Sequence, residues 1–190
     1  TLGQTYYAIG DFVRAAALLQ WSVEAADRDA GTPRTDMRIM SRAWLALPLS
    51  ALGAFTEGRR HGQEALRLAT RAGRGITPSV ADGCLGLLYL AQGDLEHAIG
   101  VLEQGLALCH ASGNQDFVRM IMASLGYIAA LQGRLAEGRT LLEEALGASI
   151  RTGARQRPLW VAWLSEVDRL AGHGEEAWQH ARQALDLARQ

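Results

Sequence analysis

The chain has 190 residues, 48% of them hydrophobic and 21% charged, the balance of a globular protein rather than a disordered tail. Nineteen basic residues, all of them arginine, stand against twenty acidic ones for a net charge of -1. That balance excludes a strongly basic nucleic-acid binder and gives no drive toward an anionic membrane.

No apolar run approaches the ~20 residues of a membrane span. Cys84 and Cys109 are too few for a disulfide framework, so a reducing, cytoplasmic compartment is expected. The sequence opens at Thr1 directly into patterned residues and reads as a single repeat domain, 1–190, excised from a longer protein.

Taken in chain order, one phrase recurs: AIGDFVRAA, ALGAFTEGR, AQGDLEHAI, LQGRLAEGR and LAGHGEEAW. Its third position is Gly10, Gly53, Gly93, Gly133 and Gly172, at spacings of 43, 40, 40 and 39. Before each glycine stands a leucine with a small residue: Leu2-Gly3, Leu45-Ala46, Leu85-Gly86, Leu125-Gly126 and Leu164-Ser165. Five residues after it comes another small residue, Ala15, Gly58, Ala98, Gly138 or Ala177. The repeats cover about 1–30, 35–73, 77–113, 116–153 and 158–190.

Each repeat predicts two helices. Apolar residues recur at three- and four-residue spacing before the glycine, as in Cys84, Leu85 and Leu88, and after it, as in Leu95, Ala98, Ile99 and Leu102. The glycine between them is the helix stop, because it takes positive φ without a Cβ clash. The small residues mark a close helix contact. Period-two alternation is absent, so strands are not expected.

Between repeats lie polar, glycine-containing connectors: DRDAGTPRTD, RAGRGITPS, HASGNQDF and RTGARQRP. Thr77-Pro78 reads as an N-cap followed by proline in the first turn, and Pro158 also suits a helix start. Pro48 falls inside a helix, where a kink is expected.

These residues resemble the tetratricopeptide repeat (TPR) family, whose pattern is W-x2-L-G-x2-Y, then A-x3-F, then P. The third repeat matches best, with Leu85, Gly86, Tyr89, Gly93, Asp94, Ala98 and Leu102. The first matches with Leu2, Gly3, Tyr6, Gly10, Asp11, Ala15 and Leu19. The usual repeat of about 34 residues is here nearer 40. The closing proline is replaced by Asp27, Thr70, His110, Ile150 and Arg189. The long repeats are similar to those of large bacterial regulators carrying an ATPase module and sometimes a nucleotide-cyclase domain. The resemblance implies an all-α, right-handed superhelical solenoid of antiparallel helix pairs.

The sequence carries no recognisable chemistry. It lacks a phosphate-binding loop, a G-x-G-x-x-G after a strand and an H-E-x-x-H. His173 and His180 are expected on the surface, and Cys84 and Cys109 as reduced, half-buried thiols. Glu143-Glu144 and Glu175-Glu176, like Arg59-Arg60, Arg67-Arg71-Arg74 and Arg151-Arg155-Arg157, read as solvated charge. Trp21, Trp44, Trp160, Trp163 and Trp178 read mostly as core, although Trp160 and Trp163 open the last repeat and suit a contact with a neighbour. No catalytic residue, metal or cofactor is expected.

The resemblance also implies that first helices line an inner, concave face. The matching positions are Gln4 and Tyr7; Ala43, Leu47 and Ser50; Gly83, Leu87 and Leu90; Ala123, Tyr127 and Ala130; Ala162, Glu166 and Arg169. Relatives that clamp a terminal carboxylate carry Lys, Asn and Arg there, whereas this chain carries mostly Leu, Ala and Tyr. Two readings stay open: an apolar trough for a helix or peptide, or plain packing within a tightly closed array. The expected function is a non-enzymatic protein-interaction module in a bacterial signalling or transcription regulator. The alternative is a sensor that binds a small ligand or signal peptide in the concave face. Leu2, Tyr6 and Ile9 at one end, and Trp178, Ala181 and Leu185 at the other, suggest self-association through the ends.

Overall fold

The computed structural model describes residues 1–28, 35–73, 76–149 and 157–189. Among them the regular structure is α-helical: α1 Leu2–Ala8, α2 Phe12–Arg28, α3 Thr35–Ala51, α4 Phe55–Ala72, α5 Thr77–Gln92, α6 Leu95–Ser112, α7 Gln115–Leu131, α8 Leu135–Ser149, α9 Arg157–Leu170 and α10 Gly174–Ala188. They form two compact bodies, Thr1–Asn114 with three helix pairs and Gln115–Gln190 with two. Parts of three connectors, with Arg74, Ile150, Arg151 and Arg155, lie outside the described residues.

The turn at Gly93 explains the repeating phrase. Gly93 has φ +81°, and its N–H donates to the Leu90 carbonyl at 3.0 Å. The next N–H, of Asp94, reaches the Tyr89 carbonyl at 2.9 Å, which satisfies the end of α5. The Asp94 carboxylate then accepts from the His97 N–H and caps α6. The four equivalent glycines, Gly10, Gly53, Gly133 and Gly172, share the positive φ. One expected boundary is corrected: the N-cap of α5 is Ile76, so Thr77 is already helical and Pro78 follows it in the first turn. Cys84 lies in the middle of α5. Helix α3 runs on past Pro48 to Ala51, and the Leu52 N–H still reaches the Pro48 carbonyl at 3.0 Å.

In the first body each helix packs on the next in sequence, and α3 also packs on α5. Leu19 and Val23 of α2 meet Leu45 and Leu49 of α3, with Ala16, Trp44 and Ala54 against the cluster. In the second body α7 pairs with α8 and α9 with α10, and α9 also contacts α7 and α8. Ile121, Ile128, Leu142, Trp160 and Val167 are fully buried there. Each such side chain contributes about 1.5–3 kcal/mol of transfer free energy.

Register with the repeat decides exposure. Leu2, Leu45, Leu85, Leu125 and Leu164 hold the same place in their repeats; Leu45, Leu85 and Leu164 are 1–3% exposed and Leu125 is half-buried. Leu2, with no helix pair before it in this chain, is 61% exposed.

Candidate protein-interaction surface

The expected concave-face residues divide by burial. Ala43, Leu47, Ser50, Gly83, Leu90, Ala123 and Ala130 are buried, and here the packing alternative fits. Most are too short to stand clear of a neighbouring helix, and Leu47 and Leu90 gain more from burial than from a wet groove. Gln4, Tyr7, Leu87, Tyr127 and Glu166 are half-buried, while Ala162 and Arg169 are exposed. Half of the expected row is thus covered within its own body.

Within the first body, Tyr7 of α1 lies 5.6 Å from the Phe12 ring and 6.5 Å, edge-on, from Trp44. Burial, with a smaller push from Cys84, raises its phenol to about 12. Tyr7 is therefore a neutral packing group with its hydroxyl intact.

Within the second body, α7 and α9 bring together residues that the sequence places far apart. The rings of Tyr127 and Trp163 stack with planes 3° apart and centroids 4.8 Å apart. The Tyr127 hydroxyl donates to Glu166 Oε2 at 2.6 Å, and Arg169 Nη2 lies 3.7 Å from Glu166 Oε1. Burial first, then the bond to Glu166, pushes the Tyr127 phenol far above its ordinary range, so it remains a donor. A flat aromatic wall edged by a carboxylate and an exposed guanidinium suits a peptide side chain with both an apolar body and a polar tip.

Three charge networks escaped the sequence reading. In the second body Asp168, completely buried, accepts from Arg139 Nη1 of α8 and lies 2.7 Å from His180 Nδ1 of α10. Arg139 also holds Glu143 at 2.8 Å. In the first body Asp27 of α2 receives Arg42 of α3 at 2.5 Å and lies 3.5 Å from Arg38. These hydrogen bonds hold the Asp27 carboxyl below its usual range. His61 is also buried, with Arg60 Nη2 2.9 Å from its Nε2. Burial first, then Arg60 and Arg42, lowers its imidazole.

Asp82 is different. It is completely buried in α5, and neither carboxylate oxygen has a hydrogen-bond partner. Desolvation raises its carboxyl to about 7. It stands where the TPR pattern has tryptophan, three residues before Leu85. A signal was present in the sequence: that row reads Arg42, Asp82, Met122 and Val161, and charge in a partly apolar row marks a special site.

The remaining expectations about chemistry resolve as follows. Cys84 and Cys109 are buried, and burial pushes both thiols up, which makes them poor nucleophiles. His173 precedes α10, while His180 is committed to Asp168. Among the described residues no group of three or more His, Cys, Asp or Glu is placed to hold a metal, and no helix is long and apolar enough to cross a membrane. Open depressions lie along α4, lined by Arg59, Arg60, Gln63, Glu64 and Arg67, and along α10, lined by Gln179, Arg182, Asp186 and Leu187. Trp160 is core as expected, whereas Trp21 and Trp178 are 63% and 61% exposed and correct that reading.

No family model and no curated protein matches the sequence. Solved structures do. BtubC from P. vanneervenii matches with a TM-score of 0.68 and 16% identity, over 98% of this chain and 76% of that one. A thermophilic TPR protein of Thermus thermophilus matches with a TM-score of 0.64 and 22% identity, over 100% and 89%. The nearly identical TPR-like repeats of a Podosopora anserina protein of kinesin light chain type match with a TM-score of 0.60 and 20% identity, over 98% and 91%. The fold is thus an all-α helical repeat solenoid of the TPR-like kind.

Proposed function

We propose that this chain is the interaction module of a bacterial signalling or transcription-regulating protein, acting in the cytoplasm by binding a protein or peptide rather than by catalysis. TPR-like repeats are in general protein-binding modules, which supports the coarse reading. One observation supports a contact surface on the second body: Tyr127, Trp163 and Glu166 stay partly accessible while half of the expected concave row is buried. The contact surface of the second body is therefore this aromatic and acidic patch with Arg169 at its rim.

Peptides selected by display on the purified chain test the reading. The double variant Tyr127→Ala, Trp163→Ala should weaken their binding at least tenfold and keep its far-ultraviolet dichroism. Equal binding by the variant, or selected peptides that crosslink only elsewhere on the chain, would overturn it.

A further inference from the structure

The outward row of α2 departs from the rest of the chain. Three, seven and eleven residues after its turn glycine stand Val13, Ala17 and Trp21, all exposed, with Val13 at 67% and Trp21 at 63%. The places of Trp21 in the later repeats hold Glu64, Gln104, Glu144 and Gln183. Those of Val13 hold Thr56, Glu96, Ala136 and Glu175. A large apolar side chain thus faces outward in this row in the first repeat alone.

Stacking of repeats does not account for it. The packing face of α2 is Ala15, Leu19, Val23 and Ala26, all buried. At 100° per residue, Val13, Ala17 and Trp21 lie on the opposite side of the helix. Helix α4 is packed on by both α3 and α5, yet still leaves Thr56 and Arg60 exposed in the same row and the Glu64 side chain, the counterpart of Trp21, 35% exposed. A further repeat before α1 would therefore leave this stripe in water, where exposed area costs about 25 cal/mol per Å².

We infer that the stripe pairs with the same stripe of a second copy of this chain, the two α2 helices running antiparallel about a twofold axis at Ala17. The small residue at the axis allows close approach of the helices. Val13 of each copy then meets Trp21 of the other, which is the self-complementarity that a twofold contact requires. Charge fixes the direction. Arg14, 3.4 Å from Asp11 in its own chain, then faces the partner copy's Gln20 and lies about 6 Å along the axis from its acidic Glu24, which among the described residues accepts from Gln20 at 2.9 Å. A parallel pair would set Arg14 against its own copy and Glu24 likewise. One helix pair covers less than the ~1,200 Å² of a standard stable interface, so the dimer is weak on its own.

Sedimentation equilibrium on the 190-residue chain, with disulfide trapping, tests the proposal. The parent chain should show a monomer–dimer equilibrium, and Trp21→Gln, the residue type of the third and fifth repeats, should weaken it at least tenfold. Ala17→Cys should form an interchain disulfide on mild oxidation many times faster than Thr140→Cys, its counterpart in the fourth repeat. The native thiols are buried and do not compete. A strict monomer at every concentration overturns the pairing, as do equal rates for the two cysteine variants. Association lost in Leu2→Arg or Leu185→Arg but unchanged in Trp21→Gln assigns it to the array ends and also overturns it. Display-selected peptides should bind Trp21→Gln as they bind the parent, so this surface and the Tyr127–Trp163 patch fail or stand separately.

Discussion

The backbones of Gly126 and Gly138 approach so closely across α7 and α8 that a Cβ on Gly138 would lie 2.5 Å from the Gly126 carbonyl oxygen. The Ala130 Cβ, one turn further along α7, would stand 2.8 Å away. Gly58 holds the same register in the second repeat, but there the nearest obstacle is the end of the Leu88 side chain, at 2.7 Å. Backbone cannot yield where a leucine terminus can. Gly138→Ala should therefore destabilise by about 1–3 kcal/mol. Gly58→Ala should come out near neutral, because the gain in helix propensity of up to ~1 kcal/mol offsets the crowding. Urea denaturation of the two variants checks this, and equal losses would contradict the register.

Leu2 and Leu45 allow a second comparison at constant chemistry. Leu45→Ala empties a site in the cluster of Leu19, Val23 and Leu49 and should cost about 2–5 kcal/mol. Leu2→Ala at the exposed start of the chain should stay within about 0.5 kcal/mol. Melting temperatures at low protein concentration, where association is absent, give the answer.

Asp82 predicts an unusual pH profile. Its carboxyl sits at about 7 when folded against an ordinary 3.8. Between those values the unfolded chain has lost the proton and the folded one keeps it, so stability falls as pH rises from about 4 to about 7 and then levels. At about 1.4 kcal/mol per pKa unit the loss is roughly 4 kcal/mol. His61, with its lowered imidazole, acts in the opposite sense: the unfolded chain takes up a proton first as pH falls. The difference between parent and Asp82→Asn isolates the carboxyl. It should be small near pH ~4 and favour the variant by pH ~8, as read by denaturation at each pH.

The Asp168 network should be costly to open. Asp168→Ala leaves Arg139 and His180 facing an uncharged gap and should cost about 2–4 kcal/mol. Glu143→Ala removes the partner of Arg139 that lies in water, 51% exposed, and should cost no more than ~0.5 kcal/mol. Comparing the two variants by chemical denaturation separates the buried carboxylate from the surface one.

The helix pairs were legible because Gly10, Gly53, Gly93, Gly133 and Gly172 report a local dihedral, and a local constraint survives in a one-dimensional string. The row of Leu2 and Leu45 was legible for the same reason. The fate of the concave row was less so. Whether Leu47 or Leu87 is covered depends on how near the next first helix comes, which spacing does not encode. The stack of Tyr127 on Trp163 joins residues 36 apart, and Asp168 gathers partners from two other helices. Such pairings leave a trace only where a charged residue interrupts an apolar row, as Asp168 does beside Leu49, Tyr89 and Ala129.

Two groups of glycines in this chain are held in place by unrelated forces, and that sets how the gene can drift. At Gly10, Gly53, Gly93, Gly133 and Gly172 the space a Cβ would enter is empty, so only the sign of φ selects the residue. Asparagine, which tolerates that region, is the natural substitute there. At Gly126 and Gly138 the dihedral is ordinary and the space is full. Asparagine is barred from those two places, and their variation is confined to residues that leave the helices where they are. Divergent copies of this array should therefore exchange glycine for asparagine at the turns while the α7–α8 contact stays fixed.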